Sequence, residues 1–283
     1  MPVSLVTTIT MLAFAANSIL CRLALQDGAI DAGSFTALRL VSGGVTLIAL
    51  HALVVPKSRR VYQWRFSLKA GLALFGYALC FSIAYLQLSA GTGALLLFGT
   101  VQLALLIAHC WQGNAVNRLE WLGLAISVAG FIYLMLPSAQ QPDLWSAALM
   151  ILSGLCWAGF TLLGRQSDNP TSAIAQGFWC ASLLCVLLAP WLINLNALTT
   201  TGILLALASG CIASAAGYIL WYQVVRRLTI LQASVAQLSV PAIALIAGSV
   251  LLDETLTWRL TMISLLILGG IGLVFIARQR AGT

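Results

Sequence analysis

Polar side chains that stand inside long apolar stretches are the residues of this sequence best suited to chemistry. Asn17 lies in the stretch FAANSILCR, and Thr100 and Gln102 lie at the end of the stretch GTGALLLFGTVQ. Gln237 lies in a later apolar stretch, four residues before Pro241. Amide and hydroxyl groups in such places either bind a polar solute or join helices through hydrogen bonds, and both interpretations stay open for each residue alone. As a group, they predict a binding site for a small molecule.

Pro241 predicts a local weakness in its helix. Proline has no backbone N–H and clashes with the preceding turn, so one carbonyl loses its helical partner. We therefore predict a hinge at Pro241, or a free carbonyl that contacts a ligand.

Aromatic side chains form the second group of candidate site residues. Tyr77 and Phe81 are four residues apart, so they share one face of a helix. Trp157 and Tyr218 also lie inside apolar stretches. Packing or lipid contact explains any one of these rings alone, whereas together they predict an aromatic wall around a bound molecule.

Charged groups are almost absent from the apolar stretches. The acidic residues all lie in predicted loops or at helix ends: Asp27, Asp31, Glu120, Asp143, Asp168, Asp253 and Glu254. This distribution disfavours proton coupling through a membrane carboxylate, and it disfavours a strongly cationic substrate. Arg39 is the one charge away from the ends of a predicted helix; snorkelling, an ion pair with Asp27 or Asp31, and anion binding all stay open for it.

Several classes of protein chemistry lack the residues they need. The sequence has no HExxH, no GxSxG and no Gly-rich phosphate loop, and it has only two histidines. Its seven cysteines are odd in number and include no CxxC pair. We therefore expect no enzyme, no metal site, no cofactor and no ATP-driven pump, whereas a channel stays open.

The composition indicates the class of protein that carries these residues. Hydrophobic residues make up 61% and charged residues 7% of the chain, whereas a soluble domain carries about 25% charged residues. Apolar runs of about 20 residues predict transmembrane helices. The predicted spans are 3–24, 32–55, 67–88, 91–111, 118–136, 145–165, 172–193, 200–222, 232–251 and 258–277.

The basic residues predict the orientation of these ten spans. With the N-terminus in the cytoplasm, 11 of the 14 basic residues fall in inner segments. Only Arg22 and Arg259 fall outside, and Arg39 lies within a span. This bias places both termini in the cytoplasm and predicts a bacterial inner-membrane protein. It also explains the net charge of +7 without nucleic acid.

Two internal echoes predict an inverted repeat. FAANSILCR (14–22) resembles WAGFTLLGR (157–165), which pairs Phe14 with Trp157, and residues 89–107 resemble residues 229–247. Each echo joins spans that are five helices apart, so the second copy crosses the membrane in the opposite direction. We predict an all-α polytopic protein with repeats at 1–138 and 144–283. Inverted repeats are typical of transporters that work by alternating access.

The sequence also resembles a known family. LLDETLTW (251–258) follows the ninth predicted helix, and Pro241 and Glu254 match features of the fourth helix of a repeat in the drug/metabolite transporter superfamily, EamA type. The first half departs from this pattern, with Val101 in place of the proline and Gln112-Gly113-Asn114 in place of the acidic ending. Residues 91–102 are similar to those of YddG-type amino-acid exporters. The resemblance implies a secondary transporter that exports small neutral or zwitterionic metabolites, amino acids and aromatic ones among them.

Other functions and partners remain compatible with the sequence. Export of nucleosides, sugars, organic anions or drugs, and a channel-like facilitator, are the alternatives. The expected partners are a small-molecule substrate and the lipid bilayer, with no nucleic acid. Small-residue pairs at Gly123/Ser127 and Ala244/Gly248 predict close helix contacts, within one chain or between two, so the oligomeric state is left open.

Overall fold

The chain folds into a bundle of helices. The computed structural model describes residues 2–54, 64–111, 117–136, 141–165, 170–225, 227–228 and 230–281, and all regular structure in these ranges is helical. The α-helices are α1 Val3–Gln26, α2 Ala32–Val54, α3 Trp64–Ala84, α4 Ala90–Trp111, α5 Arg118–Met135, α6 Leu144–Arg165, α7 Pro170–Leu187, α8 Ala189–Leu192, α9 Thr200–Leu207, α10 Gly217–Val225, α11 Ile230–Leu251 and α12 Trp258–Ala281. A 3₁₀ turn covers Leu195–Ala197, and a π-helical segment, Ala208–Ala216, joins α9 to α10.

The prediction of a polytopic all-α protein is confirmed. Among the described residues, seven segments are long and apolar enough to cross a membrane: Val3–Gln26, Ala32–Leu50, Phe66–Ala84, Ala90–Ala108, Arg118–Met135, Leu144–Gly164 and Thr200–Trp221. Three shorter apolar segments accompany them: Ile174–Leu187, Ala236–Leu251 and Trp258–Val274. The predicted span 172–193 differs from the structure, because α7 ends at Leu187 and α8 begins anew with Pro190 in its first turn.

Side chains in the connections determine where several helices begin and end. Asn117 forms a capping box with Glu120 at the start of α5, and the Asp143 carboxylate accepts a hydrogen bond from the Ser146 amide (2.8 Å) at the start of α6. Beyond α11, Asp253 has a left-handed backbone (φ 52°), and the Glu254 amide donates to the Gly248 carbonyl (3.2 Å). This reversal turns Glu254 back toward the bundle.

The long helices pack in a pattern that recurs across the chain. The rod formed by α9, the π-helical segment and α10 packs against α1 and α2, while α3 packs against α6 and α7. Likewise α11 packs against α1, while α4 packs against α6. Three further contacts join α2 with α7, α4 with α11 and α5 with α12. When the first five long helices exchange places with those that follow, the contacts of the rod with α1 and α2 become those of α3 with α6 and α7, and the α1–α11 contact becomes the α4–α6 contact. The three further contacts map onto themselves.

Small residues allow α5 and α12 to approach closely. The Ser127 hydroxyl donates to the Gly123 carbonyl (3.0 Å) and to the Ile267 carbonyl of α12 (3.2 Å). A Cβ atom on Gly270 would lie 2.6 Å from the Gly123 carbonyl oxygen and would collide with Ser127. The predicted small-residue pair therefore serves a contact within the chain.

Replacing Gly270 with alanine should destabilise the protein, whereas replacing its neighbour Gly269 should not. The added methyl group at position 270 meets backbone, which costs about 1–3 kcal/mol. At position 269 no atom of the described residues lies within 4 Å of the new Cβ. Alanine also has a higher helix propensity than glycine, so this substitution should stabilise the protein by up to about 1 kcal/mol. Thermal unfolding in detergent measures both changes, and equal midpoints for the two variants would contradict this account of the α5–α12 contact.

Candidate functional site

Two adjoining cavities lie among the central helices, and aromatic rings form most of their walls. The smaller, of about 20 Å³, is lined by Phe14, Asn17, Ser18, Tyr77, Phe81, Leu97, Phe98, Trp157 and Tyr218. The larger, of about 50 Å³, shares four of these residues and adds Val101, Leu105, Phe160, Thr161, Ile174, Trp221 and Gln237. A cavity of this size holds one or a few waters, while ligand pockets usually measure about 300–1,000 Å³. The helices have therefore closed around the site.

Trp157 is the central ring of the aromatic wall. Its ring centroid lies 4.9 Å from that of Tyr77, 5.1 Å from that of Tyr218 and 5.5 Å from that of Phe160. Phe14 packs edge-on against Tyr218 at 5.7 Å. Tilted and edge-on pairs at these distances contribute about 0.5–1.5 kcal/mol each beyond burial. The rings thus form a connected, apolar surface that suits a flat or apolar group.

A chain of hydrogen bonds lies behind this wall and supplies its polar part. Arg39 Nη2 donates to the Tyr77 hydroxyl (2.9 Å), and Arg39 Nε donates to the Ser214 hydroxyl (3.3 Å). Ser214 and Ser209 both donate to Asn17 Oδ1, at 3.2 Å and 2.8 Å. Asn17 also lines the smaller cavity, so the network reaches from a buried cation to the cavity surface.

The π-helical segment positions the two serines of this network. Its sequence ASGCIASAA consists almost entirely of small residues, and a Cβ atom on Gly210 would collide with the Arg39 carbonyl of α2. The absence of a side chain at Gly210 therefore lets α2 lie directly against the segment. π-Helical turns widen a helix locally and occur frequently at functional sites.

The structure brings most of the predicted site residues together. Asn17, Tyr77, Phe81, Trp157 and Tyr218 surround the smaller cavity, and all but Trp157 are less than 6% exposed. Gln237 lines the larger cavity beside Trp157 and Tyr218.

The remaining predicted residues lie around this group. Gln102 donates from Nε2 to Gln237 Oε1 (2.9 Å), which joins α4 to α11. Thr100 lies apart from these amides and packs against Gly154 of α6. Pro241 is buried within α11, one helical turn beyond Gln237.

Several residues of the site were absent from the predicted set. Phe14 had a usable signal, because the internal echo pairs it with Trp157. Arg39 was singled out as a buried charge but was not assigned to the site. Ser18, Ser209 and Ser214 carried the same kind of signal as Asn17, a polar side chain inside an apolar stretch. Trp221 carried the signal of an aromatic ring in such a stretch, whereas the sequence did not distinguish Phe98 and Phe160 from the apolar residues around them.

One end of the bundle is closed by an ion pair. Glu254 lies 3.7 Å from Arg22 Nε and accepts hydrogen bonds from the Ala90 amide at the start of α4 (2.7 and 3.0 Å). Arg22 Nη1 donates to the carbonyls of Tyr85 and Leu86 (2.9 and 3.1 Å). Burial raises the pKa of Glu254 above its usual value, against the opposing effects of the Ala90 amide and Arg22. We call the end of the bundle formed by Arg22, Tyr85, Leu86, Ala90 and Glu254 the Glu254 end.

An open depression of about 510 Å³ lies beyond the ion pair at the Glu254 end. Polar and charged side chains form much of its lining, including Gln87, Asp143, Glu254 and Arg259. It is separated from the aromatic cavities, which share none of its lining residues. The Glu254 end therefore carries an open, largely polar depression that is separate from the aromatic cavities.

Comparison with known families and proteins identifies relatives across the whole chain. The model of the EamA-like transporter family matches residues 1–136 and 144–276. An uncharacterized protein from Pseudomonas aeruginosa is 45% identical over 275 residues, which cover 97% of this chain and 94% of that protein.

More distant relatives carry names that refer to transport. The threonine/homoserine exporter RhtA of Salmonella typhimurium is 26% identical over 81% of this chain and 76% of its own length. An uncharacterized transporter from Archaeoglobus fulgidus is 24% identical over 82% of this chain and 84% of its own length. A solved crystal structure covers 99% of this chain, and all of its own, with a TM-score of 0.71 at 19% identity, which shows a shared fold.

Proposed function

This chain belongs to the EamA-like transporter family, and we propose on that basis that it exports amino acids, aromatic ones included, by alternating access. It is a multi-pass membrane transporter and not an enzyme. The observation that carries the proposal is the closed cavity among the central helices, with its aromatic wall and its amide and hydroxyl groups.

The proposed architecture has ten spans in two inverted repeats, at residues 1–138 and 144–283. The exchangeable helix contacts support it, as do the two separate matches to the family model. Tyr77 and Tyr218, in the third span of each half, both contact Trp157, and Trp157 corresponds to Phe14. Together with the bias of basic residues, this arrangement supports cytoplasmic termini and a bacterial inner membrane.

In this topology the Glu254 end faces outward. The ion pair between Arg22 and Glu254 then closes the outer side, while the hydrogen bond between Gln102 and Gln237 joins the fourth helices of the two halves. Pro241 leaves the Gln237 carbonyl without its usual helical donor, so we assign the hinge of α11 to this turn. Bending there separates Gln237 from Gln102 and opens the larger cavity.

The substrate class follows from the chemistry of the cavity wall. Aromatic rings bind flat and apolar side chains, while Asn17, Ser18 and Gln237 offer neutral hydrogen-bonding groups. The similarity to the threonine/homoserine exporter supports amino acids as the solutes. Small neutral and zwitterionic metabolites therefore fit the site best.

Flux into proteoliposomes tests the proposal. Purified protein is reconstituted, and uptake of labelled phenylalanine, threonine and homoserine is followed with and without a pH gradient. We expect saturable uptake that follows the substrate gradient, because the described spans have no carboxylate in their interior: Glu120 lies in the first turn of α5 and belongs to its capping box.

Other results would lead to different conclusions. Uptake of nucleosides, sugars or organic anions, without any amino acid, would contradict the substrate class. Flux that does not saturate would favour a channel-like facilitator over alternating access. Uptake driven by the proton gradient would show that another group carries protons.

A further inference from the structure

We infer that Arg39 recognises the carboxylate group of the substrate. This inference rests on the proposed function and narrows it: the solutes bound at the aromatic cavity carry a carboxylate, as amino acids do, and nucleosides and sugars are excluded. Arg39 lies on α2, 1% exposed, and it is among the largest fully buried side chains.

Arg39 is a buried cation that has no counter-ion among the described residues. Among the residues that the structure describes, the ion pair observed joins Arg22 to Glu254, at the end of the bundle. Arg39 contacts hydroxyl groups and aromatic rings instead. A buried, unpaired charge is unfavourable, and such residues in membrane spans commonly face a binding pathway. An anionic ligand would supply the missing charge.

The guanidinium group also has hydrogen-bond donors without a partner among the described residues. Nε donates to Ser214 and Nη2 donates to Tyr77, and the Tyr218 hydroxyl also interacts with the guanidinium group. Nη1 is buried and has no hydrogen-bond partner within the described part of the chain. The free donors belong to the Nη1–Nη2 fork, whose planar geometry matches the two oxygens of a carboxylate.

Arg39 lies directly behind the wall of the smaller cavity. Its guanidinium carbon is 4.9 Å from the ring centroid of Phe81 and 5.3 Å from that of Tyr77. Both rings line the cavity, so a single layer of side chains separates the guanidinium group from the space that a solute would occupy. In the closed state the rings hold the guanidinium through cation–π contacts. When the cavity expands to admit a solute, rotation of Phe81 or Tyr77 brings the fork to its surface.

A purely structural role makes a different prediction. If Arg39 only holds Tyr77 and Ser214 in place, its removal weakens the binding of every solute alike. If Arg39 binds a carboxylate, its removal selectively weakens the binding of solutes that carry one. Acid and amide forms of the same side chain therefore separate the two roles.

The test compares phenylalanine, 3-phenylpropionate and phenylalaninamide as ligands of the purified protein. Stabilisation against thermal unfolding reports binding, and inhibition of labelled phenylalanine uptake reports competition. For the wild type we expect both acids to bind at least about tenfold more tightly than the amide. The reason is that Arg39 forms stronger hydrogen bonds with a charged carboxylate than with a neutral amide. Equal binding of acid and amide by the wild type would overturn the inference without any variant.

Two variants locate the discrimination at Arg39. In Arg39→Gln we expect the preference for acid over amide to fall to about equal, and in Arg39→Lys to fall in part, because lysine keeps the charge but lacks the fork. Should Arg39→Gln weaken acid and amide by the same factor, the inference is wrong.

Binding and flux have separate consequences for the two proposals. Acid-selective binding that depends on Arg39, without amino-acid flux, would support this inference and contradict export of amino acids. Amino-acid flux without acid-selective binding would support export of amino acids and contradict the role of Arg39. Arg39→Lys keeps the test valid if Arg39→Gln does not fold.

Discussion

Replacing Trp157 with alanine should reduce saturable phenylalanine uptake by about 10- to 100-fold, the range expected when a central aromatic anchor is removed from a binding site. Trp157 contacts the rings of Tyr77, Tyr218 and Phe160, and it lines both cavities. The loss should be smaller for threonine, whose side chain has no ring to stack on this surface. Initial rates of uptake into proteoliposomes measure both effects.

Trp179 provides the matched control for this substitution. It lies on α7 and is 43% exposed, on a surface suited to lipid, so its removal takes away an indole without touching the cavities. We expect Trp179→Ala to transport phenylalanine at nearly the wild-type rate. Equal losses in the two variants, or equal losses of phenylalanine and threonine uptake in Trp157→Ala, would contradict an aromatic site at Trp157.

The sequence predicted the helices well because apolar runs of about 20 residues have few structures available in a membrane. It was less accurate where the helices change type. The segment from Thr200 to Val225 contains nine residues of π-helix, and π-helix and α-helix give nearly the same hydrophobic pattern. The break at Pro190 was signalled by its missing amide, but the apolar residues around it favoured one long span.

The site was predictable where residues of one helix share a face. Tyr77 and Phe81 are one turn apart, and their rings lie 5.5 Å from each other. Helix geometry also explains why Thr100 and Gln102 have different neighbours. They stand two residues apart and so point to nearly opposite sides of α4. Gln102 faces α11 and Thr100 faces α6.

Contacts between distant helices were not predictable in this way. Arg39 and Ser214 are 175 residues apart, and their hydrogen bond depends on how two helices rotate about their axes. No pattern within either helix determines that rotation. Sequence reasoning therefore predicted Asn17 and Tyr77 of the polar network but missed the residues that join them, Arg39, Ser209 and Ser214.

Replacing Glu254 with alanine should open the Glu254 end of the transporter. The hydrogen bond from the Ala90 amide, which both carboxylate oxygens share, and the ion pair with Arg22 are lost together, and a hydrogen bond to a charged group contributes about 1.5–3 kcal/mol. Cys21 precedes Arg22 and is fully buried, so it reports opening from this side. In a variant that retains only this cysteine, we expect a membrane-impermeant thiol reagent to label it about tenfold faster.

Glu254→Gln is the matched control, and we expect it to label no faster than the parent protein. The amide oxygen of glutamine still accepts a hydrogen bond from Ala90, and its size is that of the carboxyl group. The variant also resembles protonated Glu254. Fast labelling of both variants would mean that the charge, rather than the acceptor at Ala90, keeps this end closed.

The pH dependence of labelling tests the same contact through proton linkage. Burial raises the pKa of Glu254 in the closed form, whereas a carboxyl exposed by opening returns toward its ordinary value. The closed form therefore binds a proton more readily, so acidification should favour closure. We expect the labelling rate of the parent protein, divided by that of Glu254→Gln, to fall as pH decreases through the raised pKa. Dividing by the labelling rate of the variant cancels the pH dependence of the thiol itself. A ratio that rises as the pH falls would show instead that protonation of Glu254 releases Arg22 and opens the Glu254 end.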